Sequence, residues 1–370
     1  MKRRNFVKKL GMAGLGFAAV NTFGFPVFAE SHDKNFKRWI WITPEADLPA
    51  EEWKSRFRLM KEHGIHGIMA QVYGSHKALY PSAFLPVEAD VLSTLIETGR
   101  ETGIEVHAWM WTMPNNNPFY IENHKEWYVV NRLGQPAHSH PAYVGYYRFM
   151  CPNQPGVQEF LQRNVRELSA IENLDGVHLD YIRYPDVILA EALQPKYNIV
   201  QDKEYPEYDY CYCGVCRQKF RDQTGLDPLT DMAEPAESEL WRQFRYDSVS
   251  NLVNNILTPE IKNAGKYPTA AVFPNWESVR QQWSHWNLDA YFPMLYHNFY
   301  NAEPEWIGEQ LQLEISLLKN PAPVYAGLFL PSLNPNDLAK TLSIVRKSGG
   351  LGYSVFAYHN ITEEHWKIIK

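Results

Sequence analysis

Apolar and polar positions follow two periods along this chain. Short segments alternate every second residue or run continuously apolar, and longer segments between them repeat every three to four residues. The short segments predict strands at 36–42, 66–72, 104–111, 177–182, 268–273, 288–296, 324–330 and 351–358. The longer ones predict helices at 49–63, 87–102, 155–171, 238–264, 303–319, 336–347 and 362–369. Trp53, Phe57 and Met60 show the helical spacing, while Glu105, His107, Trp109 and Trp111 share one face of a strand. Eight strands alternating with helices in a chain of this length predict an α/β fold, a single closed (β/α)8 barrel of the TIM type. An open doubly wound sheet is the competing arrangement, but no glycine-rich phosphate loop follows an early strand.

Two connections are too long to be simple turns. Residues 113–152, after the third strand, are rich in Asn, Pro, His and Tyr, and their aromatic content predicts an ordered wall over a cleft. Residues 185–237, after the fourth strand, form a second insertion that carries three of the four cysteines.

The stretch Asp175-Gly-Val-His-Leu-Asp-Tyr-Ile-Arg-Tyr-Pro185 is a strand that breaks at its proline. His178 and Asp180 leave it on one face and Val177 and Leu179 on the other. With the apolar pair packed against helices, the polar pair points into the barrel. Asp180 then sits near the carboxyl end of a strand, where barrel enzymes keep their chemistry. Asp175 and Asp289 precede their strands, which gives them a structural role, and Glu105 lies deep. Glu277, just after the fifth strand, is the other carboxylate at the active end, with Asp186 and Glu303 as third and fourth candidates. Glycoside hydrolysis needs two carboxyl groups across the scissile bond. The expectation is Asp180 as nucleophile and Glu277 as acid/base, facing each other across neighbouring strands. Structural readings compete: a hydrogen-bonded core Asp180, a first-turn Glu277 stabilised by the helix dipole, a surface-paired Arg183 and a satisfied core His178.

Composition adds to this picture. Aromatic residues make up 14% of the chain and include 12 tryptophans, and flat aromatic faces suit sugar rings. Trp39, Trp41, Trp109, Trp111 and Trp276 fall on strands or at strand ends and are candidate platforms. Gln71, Tyr73, Asn275, Tyr296, His297 and Tyr358 fall at the same end, with His178 and Arg183 near Asp180, as candidate hydroxyl-binding groups.

The first 29 residues read as an export signal. A basic start (Lys2, Arg3, Arg4, Lys8, Lys9) precedes an apolar run at 10–20 and a small-residue cleavage site at 27–29. Arg3-Arg4-Asn5-Phe6-Val7-Lys8 resembles the twin-arginine pattern; a plain secretory signal and an uncleaved anchor are the alternatives. The expected location is periplasmic or secreted, and no later apolar run is long enough to span a bilayer. Cleavage removes five basic and no acidic groups, taking the formal net charge from −6 to −11. Such an acidic protein has no electrostatic footprint for nucleic acid.

Cys211-Tyr-Cys213-Gly-Val-Cys216 with the distant Cys151 makes four sulfurs, the number that closes a structural zinc site. Two disulfides are the competing arrangement, although residues two apart, such as Cys211 and Cys213, bridge poorly. No His-Glu motif accompanies the cluster, so a catalytic zinc is not expected, nor any other catalytic cofactor.

The central stretch, together with Arg38-Trp-Ile-Trp-Ile and Leu288-Asp-Ala-Tyr-Phe-Pro-Met-Leu-Tyr-His, resembles the glycosyl hydrolase-like 10 group of exported bacterial barrel proteins. The resemblance spans most of 36–360 and implies a barrel and a glycosidase class, without naming a substrate. The fourth-strand Asp and fifth-strand Glu are also similar to the α-amylase arrangement, with His178 where that family has Arg. The cysteine pattern is similar to the zinc cluster of family 42 β-galactosidases. The expected partner is a carbohydrate: a poly- or oligosaccharide cleaved by two carboxylates. The alternatives are a non-catalytic carbohydrate-binding barrel and a metal-dependent hydrolase.

Overall fold

Side chains two apart on a strand leave on the same face, and a strand buried on both faces must supply two different cores. This chain does so eight times. The structure, a computed structural model, describes residues 36–369. The strands are β1 (Lys37–Ile42), β2 (Gly67–Tyr73), β3 (Glu105–Trp111), β4 (Gly176–Asp180), β5 (Tyr267–Val272), β6 (Ala290–Pro293), β7 (Ala326–Phe329) and β8 (Gly352–Phe356). The helices are α1 (Ala50–Glu62), α2 (Leu92–Thr102), α3 (Pro118–Asn123), α4 (Pro155–Ser169), α5 (Gly214–Thr224), α6 (Glu239–Asn251), α7 (Thr258–Asn263), α8 (Glu305–Leu317), α9 (Pro335–Lys347) and α10 (Glu363–Ile369).

All strand pairs are parallel, in the order β6-β5-β4-β3-β2-β1-β8-β7. Parallel bridges Tyr291–Val324 and Met294–Gly327 complete the circle between β6 and β7. The expected (β/α)8 barrel is therefore present. Ile40 and Ile42, Val177 and Leu179, and Tyr353 and Val355 pack outward against the helices. Trp39, Trp41, Met69, Trp109 and Phe292 fill the barrel interior. Gly67 stands beside Trp39, whose ring atoms lie 2.2 Å from where a Cβ would be. A side chain at Gly67 would therefore expel the indole that plugs this end.

Three departures from the sequence pattern have physical causes. β4 ends at Asp180 rather than 182, because Tyr181 adopts a left-handed φ of 52° that no strand continues. The helix expected over 238–264 is interrupted at 252–257 by a π-helical stretch, leaving α6 and α7. Pro259 in the following turn lacks the N–H an α-helix needs, and the wider turn accommodates it. β6 stops at Pro293, and the chain then turns through a 3-10 segment, His297–Tyr300.

The two long connections are ordered: the one after β3 contains α3, and the insertion after β4 contains α5. Residues from 36 onward form one compact unit. The export signal expected at 1–29 lies outside the described residues. No helix among the described residues is long and apolar enough to cross a membrane.

Candidate active site

Asp180 is the last residue of β4 and is 7% exposed. Its Oδ2 accepts from the Trp109 indole at 3.0 Å, and its Oδ1 accepts from the Tyr181 amide at 2.7 Å. The left-handed backbone at Tyr181 is costly for a non-glycine residue, and it turns that amide back onto the carboxyl. Burial raises the Asp180 pKa from the ordinary 3.8 to about 6, against the Tyr181 amide, Arg183 and the Trp109 indole, which all favour the charged form. The result is a carboxyl that carries a proton up to weakly acidic pH.

Asp180 lines a cavity of about 440 Å³. β3 contributes Trp109 and Trp111, and the connection after it contributes Tyr146 and Tyr147. The end of β4 and the insertion after it supply Tyr181, Arg183, Asp186 and Tyr197, and the rest of the wall carries Tyr296, Phe299, Tyr300 and Phe356. A second depression of about 480 Å³ adjoins it, sharing Thr43, Gln71 and Trp111, and is otherwise lined in part by His76, Lys77 and Glu88. Trp111 thus stands where the two meet.

Arg183 is 3% exposed and sits over the rings of Phe273, Tyr181, Phe149 and Tyr147. It donates to the Tyr184 carbonyl at 2.8 Å, to Asp186 Oδ2 at 3.1 Å and to the Tyr147 hydroxyl at 3.3 Å. Arg183 and Asp186 therefore form a buried ion pair on the cavity wall. The cavity consequently holds two carboxylates: Asp180, pushed toward its neutral form, and Asp186, paired with a guanidinium.

Of the sequence candidates, Gln71, Trp109, Trp111, Asp180, Arg183, Asn275 and Tyr296 line this cavity. Tyr296 lies close enough to Asp180 for that charge, after burial, to raise its phenol pKa. Eight candidates do not line it, and each has a reason. Glu277 is exposed, two residues after Asn275 and one before Ser278, which do line the cavity. The 3-10 turn Trp276–Val279 rotates successive side chains away from one another, so Glu277 does not line the cavity beside Asp180, whereas Asp186 does. Trp276 is carried off the same way and packs against Tyr246 at 5.2 Å between ring centroids.

Trp39 and Trp41 are core residues below the cavity, each 2% exposed. His178 is fully buried there too, accepting from Trp41 Nε1 at 3.1 Å and pairing with Thr269 Oγ1 at 2.9 Å. Burial first, and His107 second, hold its pKa well below the usual value. It is a neutral core histidine. Tyr73 falls on the helix side because a register shift between Gln71 and Tyr73 reverses the alternation. His297 is buried off the cavity, since the early end of β6 hands the wall to Phe299 and Tyr300. Tyr358 follows the end of β8 and meets Arg56, 5.4 Å from its ring centroid.

Of the residues missed by the sequence pattern, Tyr146, Tyr147, Lys196 and Tyr197 come from the two long connections, and Phe299, Tyr300 and Phe356 come from the ends of β6 and β8. For the connections, the clustering of tyrosines was the available signal.

Away from the cavity, Cys151, Cys211, Cys213 and Cys216 are buried free thiols whose sulfurs all lie within 4.8 Å of one another.

A closed parallel barrel with a buried acid at the carboxyl end of a strand, under aromatic walls, defines a TIM-barrel protein with its cavity at the end where barrel enzymes keep their chemistry. The chain belongs to the glycosyl hydrolase-like 10 family, whose model matches residues 37–318. It is 24% identical over 279 residues to the protein named glycosyl hydrolase YngK from Bacillus subtilis strain 168, covering 67% of this chain and 47% of that one. The chain thus spans about half the length of that relative. Among solved structures, it resembles the PgaB (BpsB) glycoside hydrolase domain from Bordetella bronchiseptica, with TM-score 0.69 and 13% identity over 88% of this chain and 95% of that one. It also resembles the catalytic domain of a beta-amylase from Paenibacillus polymyxa, with TM-score 0.63 and 9% identity over 90% and 94% of the two chains. A third is a beta-galactosidase from the Antarctic haloarchaeon Halorubrum lacusprofundi, with TM-score 0.63 and 13% identity over 90% of this chain and 57% of that one. At these identities the likeness carries the fold alone.

Proposed function

We propose that the protein is an exported glycoside hydrolase that cleaves O-glycosidic bonds of an oligo- or polysaccharide with two carboxyl groups and no catalytic cofactor. The observation that carries this reading is Asp180, a buried carboxyl protonated up to about pH 6 and lining an aromatic cavity. Such a group suits a general acid, because a raised pKa keeps its proton available for the leaving oxygen. Its role is therefore acid rather than the nucleophile the sequence suggested. Asp186, paired with Arg183 on the same cavity wall, takes the complementary part as base or nucleophile. Trp111 supplies a ring for stacking a sugar, and Gln71 and Asn275 supply hydroxyl-binding amides. Export rests on the basic, apolar and small-residue pattern of residues 1–29.

The test is a panel of bacterial, plant and host glycans incubated with the purified chain, with products separated by mass. The expected result is shortened saccharides from at least one glycan, lost with Asp180→Asn. Saccharide binding without products, unchanged by Asp180→Asn, would overturn the hydrolase reading. A non-catalytic carbohydrate-binding barrel would replace it, a reading to which the Arg183–Asp186 ion pair lends weight because that pair engages one oxygen of the second carboxylate.

A further inference from the structure

The two connections that wall the cavity are also the two that carry the cysteines. Cys151 closes the connection after β3, just before α4. Cys211 and Cys213 lie in the insertion after β4, and Cys216 lies in the first turn of α5. They are 0%, 0%, 6% and 0% exposed, so nothing from solvent reaches most of this sulfur. Cys151 Sγ is 3.4 Å from Cys216 Sγ and 3.7 Å from Cys213 Sγ, and all four sulfurs fall within 4.8 Å. A tetrahedron built on zinc–sulfur bonds of about 2.3 Å has edges of about 3.8 Å. The observed spacing brackets that value.

A second observation points the same way. The Val130 amide donates to Cys211 Sγ at 3.4 Å, and Asn153 Nδ2 donates to Cys216 Sγ at 3.3 Å. Asn153 is itself 6% exposed and held by a 2.8 Å bond to Ser248 Oγ. N–H groups aimed at sulfur are the outer partners that metal-bound sulfur uses. The donor set is all sulfur, which selects a soft divalent ion, and four protein ligands leave no open position for substrate or water. No pair of sulfurs is bonded.

We propose that Cys151, Cys211, Cys213 and Cys216 bind one structural zinc ion, which fastens the insertion after β4 to the connection after β3 and so fixes the two cavity walls. The walls have other ties, among them the hydrogen bonds from Tyr212 N to the Val130 carbonyl at 2.7 Å and from the Tyr143 hydroxyl to the Asp186 carbonyl at 2.8 Å, the Arg132–Glu234 ion pair and the stacked rings of Tyr143 and Tyr208, each joining two points. The ion joins four points at once. Loss of the ion leaves β1 to β8 intact and loosens the segments that present Tyr146 and Tyr147 on one side and Arg183, Asp186 and Tyr197 on the other.

The experiment begins with elemental analysis of the full chain purified without chelators. The expected content is one zinc per chain, and cobalt substitution gives sulfur-to-cobalt charge-transfer bands of a four-coordinate thiolate site. Thiol titration after denaturation and metal removal is expected to find all four cysteines reduced. Metal-free protein with no titratable thiols means two disulfides and overturns the proposal; iron in place of zinc overturns the metal assignment. Hydrogen exchange before and after chelation tests the clamp without reference to catalysis or to any variant that fails to fold. Amides at 128–150 and 181–213 are expected to exchange about tenfold or more faster while the strands stay protected. Unchanged exchange in those two segments after verified zinc removal would show that the ion does not hold the walls.

Discussion

Replacing Asp180 by Asn tests the buried acid directly, because it removes the titrating proton while keeping the shape. Folding raises the Asp180 pKa from 3.8 to about 6. The folded state therefore binds the proton more tightly than the unfolded state, so this carboxyl's contribution to stability is present at low pH and is lost as pH rises through about 6. The full shift is worth about 3 kcal/mol, and about 2 kcal/mol of it falls between pH 4.5 and pH 8. Asn cannot accept from both the Trp109 indole and the Tyr181 amide as the carboxyl does, which costs ~1–3 kcal/mol at every pH. That constant cost cancels when each protein is compared with itself at two pH values. The expected result is that the unfolding free energy of the native chain drops by about 2 kcal/mol more than that of Asp180→Asn over this interval. In melting temperature that is roughly 3 °C for a domain of this size. Calorimetry or urea titration of both proteins at pH 4.5 and pH 8 provides the measurement. Equal pH dependence in the two proteins would refute a raised carboxyl at this position and, with it, the role of Asp180 as acid.

Other expectations follow from the same geometry. Glu277→Gln leaves glycan hydrolysis within about twofold of the native rate, whereas Asp186→Asn lowers kcat by roughly 100-fold or more; progress curves on a cleaved glycan distinguish the two carboxylates. Trp111→Ala lowers kcat/KM about tenfold on long saccharides and little on a small aryl glycoside, because the ring stands where two depressions meet; a chain-length series reads this out. Glu314 on α8 is 1% exposed, and burial, with the Glu277 charge second, pushes its pKa up to about 9. Its stabilising proton is lost as pH rises through 9, so the native chain should lose about 1 kcal/mol between pH 8 and pH 10 that Glu314→Gln retains, as measured by urea titration.

The sequence by itself determined the barrel, because alternation on eight strands and helical spacing between them are local consequences of backbone geometry. It also determined that Asp180 faces inward, since His178, Asp180, Val177 and Leu179 sort by period two without reference to the rest of the chain. The four cysteines were legible as a set, but that Cys151 meets the other three depended on how two long connections fold over the barrel. Tertiary structure decided the rest of the site where the period-two rule fails. The register shift at Gln71–Tyr73 sent Tyr73 outward, and the 3-10 turn after β5 carried Glu277 off the wall. The stop at Pro293 replaced His297 by Phe299 and Tyr300. Side-chain direction beyond a strand end is set by turns whose geometry depends on distant packing, and most of the cavity lining beyond Gln71, Trp109, Trp111, Asp180, Phe329 and Phe356 is of this kind. A strand's interior reports on itself, whereas its rim reports on its neighbours.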